Sequence, residues 1–184
     1  MESLAAFLKS VYRNPTRAGA VAPSSSALSK RMASLVRQDA SHVLEIGAGT
    51  GAFTGALLER GIPPGRVWAV EIDPSLASFL EQQFPAVHVL CGNAVDLAAL
   101  LPSSVQGRVD TVVSGLPMRN LRRQERRETV ASVLQMLRPG GDFLQFTYGF
   151  RSPIETKGLS LQAERMGRVW NNLPPAAVWR YCKQ

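Results

Sequence analysis

The run Val43-Leu44-Glu45-Ile46-Gly47-Ala48-Gly49-Thr50-Gly51 constrains the fold of this chain more than any other feature. A strand-like stretch runs into glycines at alternate positions, and a helix-compatible segment follows. Glycine lets the backbone turn sharply and lets a ligand approach its amides closely. Downstream, the pattern alternates. Strands are expected at 42–46, 67–71, 87–91, 109–113 and 142–148, with helices at about 51–60, 74–84, 94–101 and 122–137. Such alternation predicts an α/β fold, a parallel sheet with helices on both faces. Arg138-Pro139-Gly140-Gly141 should stop the last helix. The closing segments 166–171 and 177–182 read as two short strands around Asn172-Leu173-Pro174-Pro175, a hairpin adding an antiparallel strand at one edge.

Two helices are expected ahead of the loop. Over 3–13, Leu4, Phe7, Leu8, Val11 and Tyr12 form one apolar stripe, and Asn14-Pro15 ends it. Over about 26–37, Leu28, Met32, Leu35 and Val36 point inward, with Ser24, Ser25 or Ser26 as the cap. Residues 1–38 are thus expected as an N-terminal amphipathic helix and lid region, and 39–184 as the main domain.

Composition excludes several classes. A chain of 184 residues, 45% of them hydrophobic, suits one globular domain with a sizeable core. No apolar run approaches the ~18–20 residues that cross a bilayer, and Glu2 and a short apolar stretch argue against a signal peptide. The cytoplasm is therefore the expected compartment. Cys91 and Cys182 provide neither a disulfide framework nor a metal cluster. His42 and His88 have no ligand partner at metal spacing, so both read as structural and no metal is expected. The net charge of +7 is unevenly spread: residues 1–40 carry +4, 41–117 carry −4 and 118–184 carry +7. Seventeen of the 21 bases are arginine, which suits bidentate phosphate contacts. Two basic flanks point to an anionic partner, either nucleic acid or a lipid surface.

The loop admits two cofactors. Gly47, Gly49 and Ala52 satisfy the dinucleotide pattern, and Glu71, 20 residues past Gly51, suits ribose hydroxyls in either case. Three features favour S-adenosylmethionine over NAD. Glu45 can meet a cationic amino-acid end, the glycines stand at alternate positions, and the terminal hairpin leaves no chain for a dehydrogenase's substrate domain. At this point VLEIGAGTGAFTGALLERG, VWAVEIDP, GNA and SGLP resemble the class I S-adenosylmethionine-dependent methyltransferases over about 41–184. VLEIGAGTG, VEIDP and the LP motif are similar to the ribosomal RNA adenine dimethyltransferases. FLKSVYRNPTRAGAVAPSSSAL and QFTYGF look more like the small bacterial phospholipid N-methyltransferases. The resemblance implies a Rossmann-like sheet, mostly parallel with a C-terminal antiparallel hairpin, plus N-terminal helices.

It also implies roles. Glu45, Gly47, Gly49 and Gly51 match the methionine and ribose end of the cofactor site, Glu71 the ribose-hydroxyl acid, and Ile72 the apolar wall beside adenine. Asn93, followed by Ala94, matches the position facing the adenine amino group, commonly Asp, while Ser114 or Gly115 borders the sulfonium. The implied activity is N-methylation of the ethanolamine headgroup of phosphatidylethanolamine, with S-adenosylhomocysteine as product. The alternative is RNA adenine N-methylation. Gly115-Leu116-Pro117 should offer carbonyls to orient a neutral amine at the C-terminal end of a strand. Where base-directed enzymes carry Asn-Leu-Pro-Tyr, this chain has Gly115-Leu116-Pro117-Met118, without the aromatic that stacks on a flipped base. Tyr148 is the aromatic candidate from the fifth strand, with Tyr12 a second. Arg17 and Arg119, Arg122, Arg123, Arg126 and Arg127 should hold lipid phosphates at an anionic membrane face. The expectation is a monomer bound peripherally to the inner face of the membrane, with nucleic acid the weaker partner.

Overall fold

The computed structural model describes residues 25–184. The expected helix over 3–13, with Tyr12 and Arg17, lies outside the described residues. Helix α1 spans Ser26–Ser34, and Ser25 caps it, its hydroxyl accepting from the Leu28 amide. Leu28, Met32 and Val36 are buried, and the helix packs against α2 in the same core as the sheet.

Strand β1 (Val43–Ile46) is buried at every position, as a central parallel strand must be. The glycine loop follows, then α2 (Ala52–Glu59), β2 (Val67–Glu71) and α3 (Pro74–Gln83). Asp73 caps α3 by accepting from the Ser75 and Leu76 amides at 2.8 and 3.1 Å, and Pro74 stands in its first turn. Next come edge strand β3 (His88–Cys91), a short 3₁₀ turn Ala94–Asp96 and α4 (Leu97–Leu100). The chain continues through β4 (Val109–Ser114), α5 (Arg123–Met136) and β5 (Leu137–Thr147), and ends with β6 (Leu161–Val169) and β7 (Ala176–Lys183).

The sheet has seven strands in the order β3-β2-β1-β4-β5-β7-β6. β1 to β5 run parallel, and β7 is antiparallel to both neighbours, β5 and β6. The expected hairpin is present, and its second strand lies inside, next to β5. β7 is the more apolar of the two and its first three residues are buried, whereas β6 is largely exposed. Burial selects β7 for the inner place.

Between α5 and β5 there is no loop. Arg138–Gly141 bulges out of the β4 pairing, so that Val109 faces Leu137 and Thr111 faces Asp142. The ammonium of Lys183 donates to the Leu134 and Leu137 carbonyls, both at 2.7 Å, and so satisfies the end of α5. Two apolar layers sandwich the sheet. One contains Leu28, Met32, Phe53, Leu57, Leu144 and Phe146; the other contains Leu97, Val130, Met136, Phe143 and Tyr181. His88 stacks on Trp68 at 4.0 Å, in keeping with its structural reading. Among the described residues, no group of His, Cys, Asp or Glu is arranged to hold a metal, and no helix is long and apolar enough to cross a membrane.

Candidate active site

The strand order reverses between β1 and β4, and the crevice at such a switch point is where open α/β sheets bind ligands. The glycine loop enters this crevice from β1. The Gly47 and Ala48 amides both donate to the Val70 carbonyl, at 2.9 and 3.2 Å, which lays the loop across the end of β2. Gly47, Gly49 and Gly51 all have positive φ. A side chain at Gly47 would strike Leu116, its Cβ falling 2.5 Å from Leu116 Cδ2. At Gly49, by contrast, a Cβ would meet nothing within 4 Å. The middle of the loop thus faces open space.

Two carboxylates flank the loop. Glu45 is fully buried; Thr54 Oγ1 donates to its Oε2 at 2.5 Å, while Oε1 is buried with no partner among the described residues. Burial pushes its carboxyl up to about 8, the Thr54 hydrogen bond pulling the other way. Glu71 accepts from the Gly49 amide at 2.7 Å with one oxygen and from the Asp73 amide at 3.0 Å with the other. It thereby ties the loop to the start of α3. Ile72, next in sequence, is 62% exposed, an apolar side chain standing free at the mouth. Asn93 Oδ1 accepts from the Val95 amide at 3.2 Å, which leaves this carbonyl one further lone pair, and Ala94 is buried behind it.

The opposite wall is the segment after β4. Ser114 is buried, and its hydroxyl accepts from the Leu116 amide at 3.2 Å. The Gly115 amide donates to the Ile46 carbonyl at 2.9 Å, and Gly115 packs so closely on Gly47 that no side chain fits. The expectation that Gly115, Leu116 and Pro117 all present carbonyls is narrowed here. The Leu116 carbonyl already accepts from the Met118 amide at 2.9 Å and from Gln145 Nε2 at 3.0 Å, which fills both lone pairs. The Pro117 carbonyl accepts from the Asn120 amide at 2.7 Å. Among the described residues, only the Gly115 carbonyl of the three carries no such bond. Met118 is buried in the core, so it offers no face to a base.

An aromatic row leads away from Gly115. Phe53 lies 6.0 Å from Phe146 between ring centroids, and Phe146 meets Tyr148 edge-on at 5.5 Å. Tyr148 is half-buried, and burial raises its phenol pKa, with the Asn172 amide offsetting part of the rise. Of the arginines, Arg119 lies against Gly149, and Arg126 donates to the Met118 carbonyl at 3.4 Å. Arg122 is exposed at the start of α5, and among the described residues Arg123 makes only an exposed ion pair with Glu155 at 3.9 Å, which contributes little. Thr54, Gln145 and Asn172 escaped the sequence reading. Their partners lie 9, 29 and 147 residues away, and no local motif marks them.

A glycine loop at the switch point and an acid at the end of β2 define a Rossmann-like fold suited to a nucleoside-bearing cofactor. Residues 43–141 match the model of the methyltransferase domain. An ornithine lipid N-methyltransferase from Singulisphaera acidiphila is 33% identical over 151 residues, 80% of this chain and 79% of that protein. A ribosomal RNA small subunit methyltransferase A from a Mycobacterium species is 38% identical over 81 residues, but these span 41% of this chain and 26% of that protein. Among solved structures, the Burkholderia thailandensis 1,6-didemethyltoxoflavin-N1-methyltransferase, bound to 1,6-didemethyltoxoflavin and S-adenosylhomocysteine, superposes with a TM-score of 0.68. Its identity is 18%, over 98% of this chain and 86% of that one. The chain belongs to the methyltransferase-domain family and depends on S-adenosylmethionine. The residues present fit that cofactor: a buried Glu45 oxygen without a partner among the described residues, a glycine loop with open space at Gly49, and the exposed apolar side chain of Ile72 next to Glu71.

Proposed function

We propose that this methyltransferase N-methylates the primary amine of a membrane-lipid headgroup. When bound, the cofactor supplies an electrophilic methyl group on a sulfonium. Glu45 Oε1 and the glycine loop would hold the cofactor's amino-acid end, and Glu71 its ribose. Ile72, Asn93 and Ala94 would flank the adenine, and Ser114 would border the methyl. Half-buried Tyr148, backed by the core rings of Phe146 and Phe53, would give the acceptor side an apolar face. Desolvation there lowers the pKa of an ammonium and favours the neutral, nucleophilic amine. The Gly115 carbonyl can accept one N–H of that amine and aim its lone pair. The Tyr148 ring can hold methylated, cationic forms by cation–π contact worth ~0.5–2 kcal/mol.

The single observation that carries this reading is the acceptor wall. Its accessible part is half-buried Tyr148, backed by the core ring of Phe146, while Met118, where a base-stacking aromatic would stand, is fully buried in the core. The lipid N-methyltransferase relative, matched over most of both chains, supports it independently. Two headgroups fit: ornithine lipid, the substrate named for that relative, and phosphatidylethanolamine, whose phosphate suits Arg119 and Arg122. The test is incubation with labelled S-adenosylmethionine and either vesicles of each lipid or ribosomal RNA. Label in one or both lipids is expected. Label in RNA alone would refute the reading.

A further inference from the structure

At the end of the sheet where the site opens, three apolar side chains stand in solvent. Phe150, just past β5, is 77% exposed, Trp170, just past β6, is 72% exposed, and Leu173, at the hairpin turn, is 93% exposed. They belong to one place. Thr147 at the end of β5 pairs with Ala177, which also pairs with Arg168 near the end of β6. The Arg168 guanidinium lies 4.6 Å from the Phe150 ring centre and 5.4 Å from that of Trp170, so one cation joins both rings. Scattered apolar residues on a surface need no explanation, but a cluster beside a substrate crevice does. The proposed chemistry uses none of the three.

The surroundings state what kind of partner fits. Arg119 lies against Gly149, next to Phe150, and exposed Arg151 follows. Residues 118–184 hold twelve bases and five acids. Tryptophan and arginine together suit a boundary that is apolar on one side and anionic on the other. We propose that Phe150, Trp170 and Leu173 form a docking rim that enters the headgroup–acyl boundary of an anionic bilayer, with Arg168, Arg119 and Arg151 on its phosphates. This rests on the lipid-methylating reading. It adds how the acceptor reaches the site: the headgroup enters the crevice while its acyl chains stay in the bilayer.

The experiment uses the full chain with phosphatidylcholine vesicles that contain phosphatidylglycerol, some lipids carrying brominated acyl chains. Bromine quenches tryptophan only on close approach. Bound protein should be quenched, and Trp170→Phe should lose most of that quenching, because Trp68 and Trp179 are half-buried against the core while Trp170 is 72% exposed. A combined Phe150→Ser, Trp170→Ser and Leu173→Ser variant should partition onto vesicles at least about tenfold more weakly. It should keep S-adenosylhomocysteine affinity and turnover of a short-chain, monomeric lipid amine. Undiminished partitioning of that variant overturns the rim and leaves residues 1–24 or another face as the docking element. Vesicle-bound protein with unquenched Trp170 overturns it also, as does a parent dimer that the triple variant splits. Failure of the parent to methylate any lipid, even in micelles, refutes the lipid reading itself.

Discussion

Glu45 shows how one buried atom links stability, pH and ligand. With its carboxyl raised to about 8 from an ordinary 4.5, the ligand-free protein holds a proton there at neutral pH. The stabilising contribution is fully present below the unfolded value and is lost as pH rises toward about 8. A cationic ligand end beside Oε1 reverses the preference and favours the ionised form. S-adenosylhomocysteine affinity should therefore rise about tenfold between pH 6.5 and 8 in the parent. It should be weak and nearly flat across that range in Glu45→Gln. Calorimetry in buffers of different ionisation enthalpy reads the released proton directly, and a pH-independent parent would remove Glu45 from the cofactor site. Tyr148 permits a second test. If the ring holds methylated cations, Tyr148→Phe should keep much of the turnover and Tyr148→Ala little; equal loss in both would assign the work to the hydroxyl. Full activity in Tyr148→Ala would place the residue outside the site.

At the level of elements, Asn172 joins three that are distant in sequence. Its Oδ1 accepts from the Ser25 hydroxyl at 2.5 Å and from the Ser25 amide at 3.3 Å, while its Nδ2 donates to the Pro174 carbonyl at 2.7 Å. It thus fixes the start of α1 to the β6–β7 turn, and its amide also sits beside the Tyr148 phenol. Asn172→Ala should cost roughly 2 kcal/mol, since buried partners are left unsatisfied, and lower the melting midpoint by about 4–8 °C. Asn172→Asp, which keeps the acceptor toward Ser25, should recover part of that loss. A melting midpoint unchanged in Asn172→Ala would show that α1 is held by its apolar face and by the Arg31 bond to the Met166 carbonyl instead.

For the molecule as a whole, any ligand that binds only the folded state stabilises it. S-adenosylhomocysteine at about a hundred times its Kd should add about 2.7 kcal/mol and raise the midpoint by several degrees, whereas NAD should leave it unchanged. An equal shift with NAD would mean that the loop does not discriminate. Vesicle binding should also weaken as salt rises toward ~1 M, where screening shortens to about 3 Å. The sign follows from the excess of bases over acids in residues 118–184.

Local chemistry by itself determined much of this protein. The alternation of short apolar runs with helix-length segments placed β1 to β4, α2, α3 and α5 within a residue or two, because the parallel strands are apolar runs and the helices carry caps such as Asp73-Pro74. The glycine loop and Glu71 were legible because their roles depend on backbone freedom and a fixed spacing. Tertiary structure alone decided the rest. β6 begins at Leu161, five residues before its expected start at 166, because Gln162, Ala163, Glu164 and Arg165 line a solvent edge where no alternation is needed. β5 starts directly after α5 because β4 and Lys183 supply the partners that a loop would otherwise leave unpaired. The carbonyl left free beside the crevice was likewise invisible in Gly115-Leu116-Pro117. Gln145 fills the Leu116 carbonyl from a different strand, and which lone pairs remain open depends on which side chains the fold brings close.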